Sequence, residues 1–171
     1  MNSSRLSKMT SRPGASRGFT LLEALVVVAI IGILASAAMP SMGRMIKDQR
    51  VRNATQDFYA SLAFARSESI KRGADVVITP NSAANWGLGW AVADNGAVTI
   101  KRQDAITGVA ASGPASLTYR RDGRLSDTTA QTFVLTSSAD ATITARCIRI
   151  DPSGRPNIKV DTNGNAADGC Q

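Results

Sequence analysis

The sequence predicts an α+β fold, one long N-terminal α-helix packed on an antiparallel β-sheet globular head. Three observations predict it. Residues 19–39 form a 21-residue apolar run broken only by Thr20, Glu23 and Ser36 as polar side chains. A helical period of apolar residues then continues to Arg72. Beyond Gly73 the pattern changes to short β-rich runs separated by turn residues.

The first eighteen residues are a basic leader. They carry Arg5, Lys8, Arg12 and Arg17 and no acid. The remainder holds 16 basic and 13 acidic residues, so the high net charge of the 171-residue chain, +7, is in part a leader effect. This weakens the nucleic-acid signal that a basic composition would otherwise carry.

The apolar run is long enough to cross a bilayer core of about 30 Å at helical rise. The positive charges before it place residues 1–18 on the cytoplasmic side and the rest across the membrane. A secretory signal has a shorter apolar region. Pro40 ends the run and should bend the helix that continues past it. Glu23 is the unusual residue. A carboxylate near lipid is costly and calls for a partner. Within the chain only Arg17 is close in sequence, so the partner is Arg17, a lipid head group or a group on another subunit.

From residue 41 the helix becomes amphipathic. Val51, Ala54, Phe58, Leu62, Ala65 and Ser69 recur every three or four residues, led by Met42, Met45 and Ile46. Lys47, Arg50, Asn53, Asp57 and Ser67 fall on the opposite side. Lys71 and Arg72 suit the negative end of the helix dipole, and Gly73 suits a C-cap.

The strands follow in order. "DVVITP" stops at a proline. "GLGWAVA" and "AVTIKRQ" flank Asp94-Asn95-Gly96, a hairpin signal. The Ala/Gly/Ser-rich stretch 105–116 reads as a loop. "SLTYRRDGRL" carries an Asp122-Gly123 turn, and "QTFVLT", "ATITARCIRI" and "PNIKV" complete the set. Trp86 and Trp90 read as core aromatics, with ligand stacking the alternative.

Histidine is absent, which removes the usual neutral-pH base and the commonest metal ligand. No nucleophile elbow, P-loop or metal-spaced acid cluster occurs. No enzymatic activity and no cofactor are expected. "DTNGNAADG" lacks the spacing and terminal Glu of an EF-hand calcium loop. The two cysteines, Cys147 and Cys170, read as a disulfide in an oxidising compartment, with two buried free thiols the alternative. Closing that loop would contribute about 3 kcal/mol, and Cys170 would staple the tail 161–171 onto the strand holding Cys147.

"RGFTLLEALVVVAIIGILASAAMP" resembles the N-terminus of type IV pilins and type II secretion pseudopilins, position by position. The resemblance implies that a prepilin peptidase cuts after Gly18. Phe19 then becomes the N-methylated first residue, and Glu23, the fifth mature residue, meets the Phe19 amine of a neighbouring subunit. Pro40 matches the proline at mature position 22. The eighteen-residue leader is longer than that of many such pilins. "LAFARSESIKRGADVVITP" and "NWGLGWAVADNG" are similar to the FimT/FimU/GspH group of minor pilins and pseudopilins.

The segments that follow are a leader (1–18), a transmembrane and filament-core helix (19–40), an amphipathic helix half (41–72) and a periplasmic head (73–171). The resemblance implies a minor pilin of a type IV pilus that contributes to assembly and to DNA uptake in natural transformation. The alternatives are a GspH-type pseudopilin of type II secretion and a pilus-associated DNA receptor. Expected partners are other pilins or pseudopilins, the prepilin peptidase, the inner membrane before assembly, and DNA. A Gly-Arg-x-Arg motif associated with DNA capture in FimT-like pilins matches "SGRPNIK" at Gly154 and Arg155. Asn157 stands where the second arginine would be. Lys159 and Arg124 complete the candidate DNA contacts.

Overall fold

The computed structural model describes residues 18–82, 85–95 and 98–170, without the side chains of 37–40. The leader residues 1–17 lie outside the described residues. The chain divides between Pro40 and Ser41 into two compact units, and each is considered by itself.

Helix α1 (Leu21–Arg72) starts on a local signal. The Thr20 hydroxyl accepts the Glu23 N–H at 3.2 Å and so caps the first turn. Glu23 sits in that turn, where a carboxylate favours the helix dipole. In the first unit every described side chain from Phe19 to Ser36 is exposed, including Leu21 at 80%. Among the described residues no single helix is long and apolar enough to cross a membrane, whereas Leu21–Ser36 and Ser41–Arg72 taken together are, by length and composition alone.

In the second unit α1 buries the stripe its period marks. Val51, Ala54, Phe58, Leu62, Ala65 and Ser69 are all buried. Met42, Met45 and Ile46, expected to lead into that stripe, are exposed instead. The core cluster of the head begins only at Val51, so the stripe is buried from there on. The small polar residues in the stripe satisfy themselves on the helix backbone. Thr55, Ser61 and Ser69 donate to the carbonyls of Val51, Asp57 and Arg66 at 2.7, 2.9 and 2.8 Å. The helix ends as its sequence indicates. Gly73 takes φ +62°, and Ala74 N–H returns to the Ser69 carbonyl.

The head contains two four-stranded antiparallel sheets rather than one. The strands are β1 (Val76–Pro80), β2 (Trp90–Asp94), β3 (Val98–Gln103), β4 (Val109–Ser112), β5 (Leu117–Tyr119), β6 (Gln131–Ser137), β7 (Arg146–Ile150) and β8 (Pro156–Val160). The first sheet has the order β3-β2-β1-β5 and the second β4-β6-β7-β8. Strand β4 lies inside the stretch expected to be a loop. Its Ala and Ser residues carry little strand signal, and pairing with β6, Val109 opposite Ser137, makes it a strand.

One helix residue joins the two sheets. The Phe58 ring meets Trp90 of β2 and Phe133 of β6, each at 4.7 Å between centroids, and Trp86 at 5.3 Å, all edge-on. Trp86 sits in the short 3-10 turn Trp86–Leu88 and donates its indole N–H to the Pro114 carbonyl at 2.9 Å. Both tryptophans are 1% exposed, so both are core residues with no face open to a ligand.

Candidate functional site

Two regions hold the residues that the sequence singled out. The first is the exposed N-terminal turn. Gly18 and Phe19 precede α1, and Phe19 is 71% exposed. Glu23 makes no ion pair among the described residues. Its backbone N–H is satisfied by the Thr20 hydroxyl, and Arg17, the nearest cation in sequence, lies outside the described residues. Leu21, Leu22, Leu25, Val28, Ile31, Ile33 and Leu34 are each more than half exposed around it. A continuous apolar surface of this kind needs lipid or protein to cover it. Pro40 belongs to the four residues whose side chains are outside the description.

The second region is a basic junction on the head. Two glycines make it. Gly154 takes φ +78°, and a Cβ there would strike the Gly123 carbonyl and the Tyr119 ring. Gly123 takes φ +75° against Ile70 of α1. Close backbone approach of this sort is open only to glycine. It brings the loop after β5, residues 120–125, against the loop between β7 and β8, where Leu125 N–H bonds the Pro152 carbonyl at 3.2 Å. Arg66 of α1 joins them by donating Nε–H to the Gly123 carbonyl at 3.0 Å.

Arg120, Arg121 and Arg124 on the loop after β5 and Arg155 on the loop before β8 are all exposed, carried on two loops whose backbones meet. Arg66 and Arg155 share a groove of about 540 Å³ floored by Tyr59, Ala63, Ile70 and Pro156. Nearby acids are occupied with backbone. Asp75 accepts Arg121 N–H and Asp122 accepts Arg124 N–H, each at 3.1 Å. Sequence reasoning missed Arg66, because nothing in the helix period says which loop will reach it.

Lys159 does not join this groove's lining. It is exposed on β8, opposite Cys147 of β7, on the face that also carries Asn157 and Arg149. Arg149 leans on Asp151 at 3.7 Å. Arg146 falls on the opposite face of β7.

The remaining polar clusters have structural work. Cys147 and Cys170 form a disulfide with Cα atoms 5.8 Å apart, tying the tail to β7. In that tail Asp161 accepts the N–H groups of Asn163 and Gly164 at 3.2 Å, so its carboxylate organises a turn. Near the helix end Arg72 donates to Glu68 at 2.7 Å and holds its carboxyl below the usual range, with Asp94 as a second partner at 3.4 Å. Asp140 accepts from the Thr142 hydroxyl at 2.6 Å and from Lys47 at 3.0 Å, which lowers its carboxyl to about 2. Burial raises the Tyr119 phenol. Among the described residues no three His, Cys, Asp or Glu side chains are grouped to hold a metal.

Residues 54–154 match the family described as Type II transport protein GspH. The chain belongs to the GspH family. Residues 14–39 match the prokaryotic N-terminal methylation motif, which contains Gly18, Phe19 and Glu23. Among solved structures the chain is similar to the type IV minor pilin FimU of Pseudomonas aeruginosa. In one crystal form the two are 21% identical over 71% of this chain and 95% of that one, with a TM-score of 0.58. A second crystal form gives 22%, 70%, 99% and 0.56. This likeness establishes the type IV pilin fold. No curated protein matches the chain.

A GspH-family protein with this fold is a minor pilin or pseudopilin, a structural subunit. Motif and family together imply a membrane-anchored chain that assembles with other pilins in a filament. The family match ends at Gly154, so Arg155, Lys159 and the Cys170 tail lie beyond it.

Proposed function

We propose that the chain is a minor pilin of a type IV pilus, acting in pilus assembly or its initiation. The leader 1–18 is removed after Gly18, Phe19 is methylated, and residues 19–40 hold the chain in the inner membrane with the head in the periplasm. On assembly that apolar surface leaves lipid for neighbouring helices, and Glu23 takes the Phe19 amine of a neighbour as its partner. An ion pair in such surroundings rewards correct register more than it adds stability. The observation that carries this reading is Glu23, unpaired among the described residues in an exposed apolar surface within the methylation motif. Mass spectrometry of the protein from its native host should find a chain that begins at methylated Phe19. Any other first residue sinks the reading.

The family description favours a second reading, a GspH-type pseudopilin of type II secretion. A deletion strain separates the two. Loss of pili supports the first, and loss of exoprotein release with pili intact supports the second.

The basic junction favours a further role for either filament, contact with DNA through Arg155 and Arg124, with Lys159 apart on β8. Several cations together are what phosphate binding requires. Asn157 in place of a second arginine leaves the match to the Gly-Arg-x-Arg pattern incomplete. The Arg124→Ala/Arg155→Ala double variant should weaken duplex binding and reduce the log–log salt slope by about 2. An unchanged slope excludes both residues as phosphate contacts.

A further inference from the structure

A second cationic groove lies elsewhere on the head, between α1 and the starts of β7 and the 140s loop. It has a volume of about 460 Å³ and carries Arg44, Arg52 and Arg146, with Asp48 as its acid and Met45 and Val160 at its apolar rim. Asp48 is already engaged by Arg52 at 2.8 Å. Two guanidinium charges are therefore unbalanced. Arg146 is the telling residue. It lies on the core-facing side of β7 with Ile148 and Ile150, and its Nε–H is buried with no hydrogen-bond partner among the described residues. A buried donor without a partner costs about 1–3 kcal/mol, more when charged. An oxyanion in the groove would repay that cost. Met45 at 71% and Val160 at 42% exposed offer apolar surface at the same mouth.

We propose that this groove binds the phosphodiester of an anionic lipid head group while the chain is still in the membrane. The inference rests on the reading that residues 19–39 cross the bilayer. Arg44 follows Met39 by five residues, so the chain cannot carry it more than about 18 Å away, whatever the geometry between. Head groups add roughly 5–8 Å on each side of the hydrocarbon core. Arg44, the first basic residue after the apolar span, is therefore within chain reach of the lipid phosphates. A basic site with an apolar mouth fits a head group better than it fits free phosphate. It also gives a head group contact that must be broken when the subunit leaves the bilayer for a filament.

The test uses the full chain in nanodiscs of mixed phosphatidylcholine and phosphatidylglycerol, released for native mass spectrometry. The wild-type chain should retain phosphatidylglycerol over phosphatidylcholine. Arg44→Gln/Arg146→Gln should lower that retention by about 20- to 30-fold, from the usual worth of two basic residues at an anionic surface. Asp48→Asn should raise it, because it removes the competing acid. Arg102→Gln, exposed on β3 of the first sheet, should leave it unchanged. Equal retention by wild type and the double variant overturns the site, as does an equal loss in Arg102→Gln. Displacement of the lipid by inorganic phosphate overturns the head-group assignment. Extraction of the wild-type chain from the bilayer by alkaline carbonate overturns the membrane span and this site together. An integral chain with unselective lipid retention overturns this site alone.

Discussion

Phe58 shows how much one side chain decides. It touches Trp86, Trp90 and Phe133, and through the last two it touches both sheets. Edge-on aromatic pairs add about 0.5–1.5 kcal/mol each beyond area burial. Phe58→Ala would open a cavity where helix and sheets meet. Chemical denaturation should show a loss of about 3–5 kcal/mol. A loss under 1 kcal/mol would mean that the sheets close over the gap without the ring. Asp140 supplies a pH-dependent contact. Its carboxyl ordinarily titrates near 3.8 and is held at about 2 in the fold. A depressed carboxyl contributes fully above its unfolded value and loses that contribution as pH falls through the folded one. Acid should therefore weaken this link between α1 and the 140s loop from about pH 4 to about pH 2. The Asp140 carboxyl followed by NMR should titrate in that window, and Asp140→Asn should remove the dependence.

At the scale of elements, α1 is one helix with two kinds of surface. Leu21–Ser36 is exposed throughout, while the stripe from Val51 to Ser69 is buried. The first half is apolar on all sides and the second only along one stripe, so the second alone can bury its apolar face against the sheets of the head. The C-terminal tail depends on a different device. Residues 161–170 hold no strand, and Cys170 attaches them to β7 across a separation of 23 residues. Cys147→Ser/Cys170→Ser should destabilise the head by about 3 kcal/mol. Limited proteolysis should then cut the tail first. A tail that stays protected without the disulfide would show that its turns hold it unaided.

For the whole molecule, the head and the N-terminal turn make separable demands. Among the described residues the core of the head uses none before Val51. Glu23→Ala should therefore leave the head folded, with an unchanged circular dichroism spectrum and melting midpoint, while filament incorporation falls at least tenfold. Normal incorporation of that variant would remove the assembly role proposed for Glu23. A melting midpoint that falls with it would mean that the two units are energetically coupled.

The sequence by itself determined the elements and their chemical character. The apolar run, the helix period to Arg72, the Gly73 stop and most strands are local patterns, because helix and strand periods are written in neighbouring residues. The pilin resemblance was legible for the same reason, since its N-terminal motif is contiguous. Tertiary structure alone decided what meets across the chain. It split the strands into two sheets, made a strand of Val109–Ser112, left Met45 and Ile46 bare, and brought Arg66 to Gly123. It also placed Arg146, from β7, in a groove with Arg44 and Arg52 of the helix. None of these has a local signature, because each depends on contacts between segments tens of residues apart. Charge, unlike periodicity, says nothing about where it will be gathered until the backbone has folded.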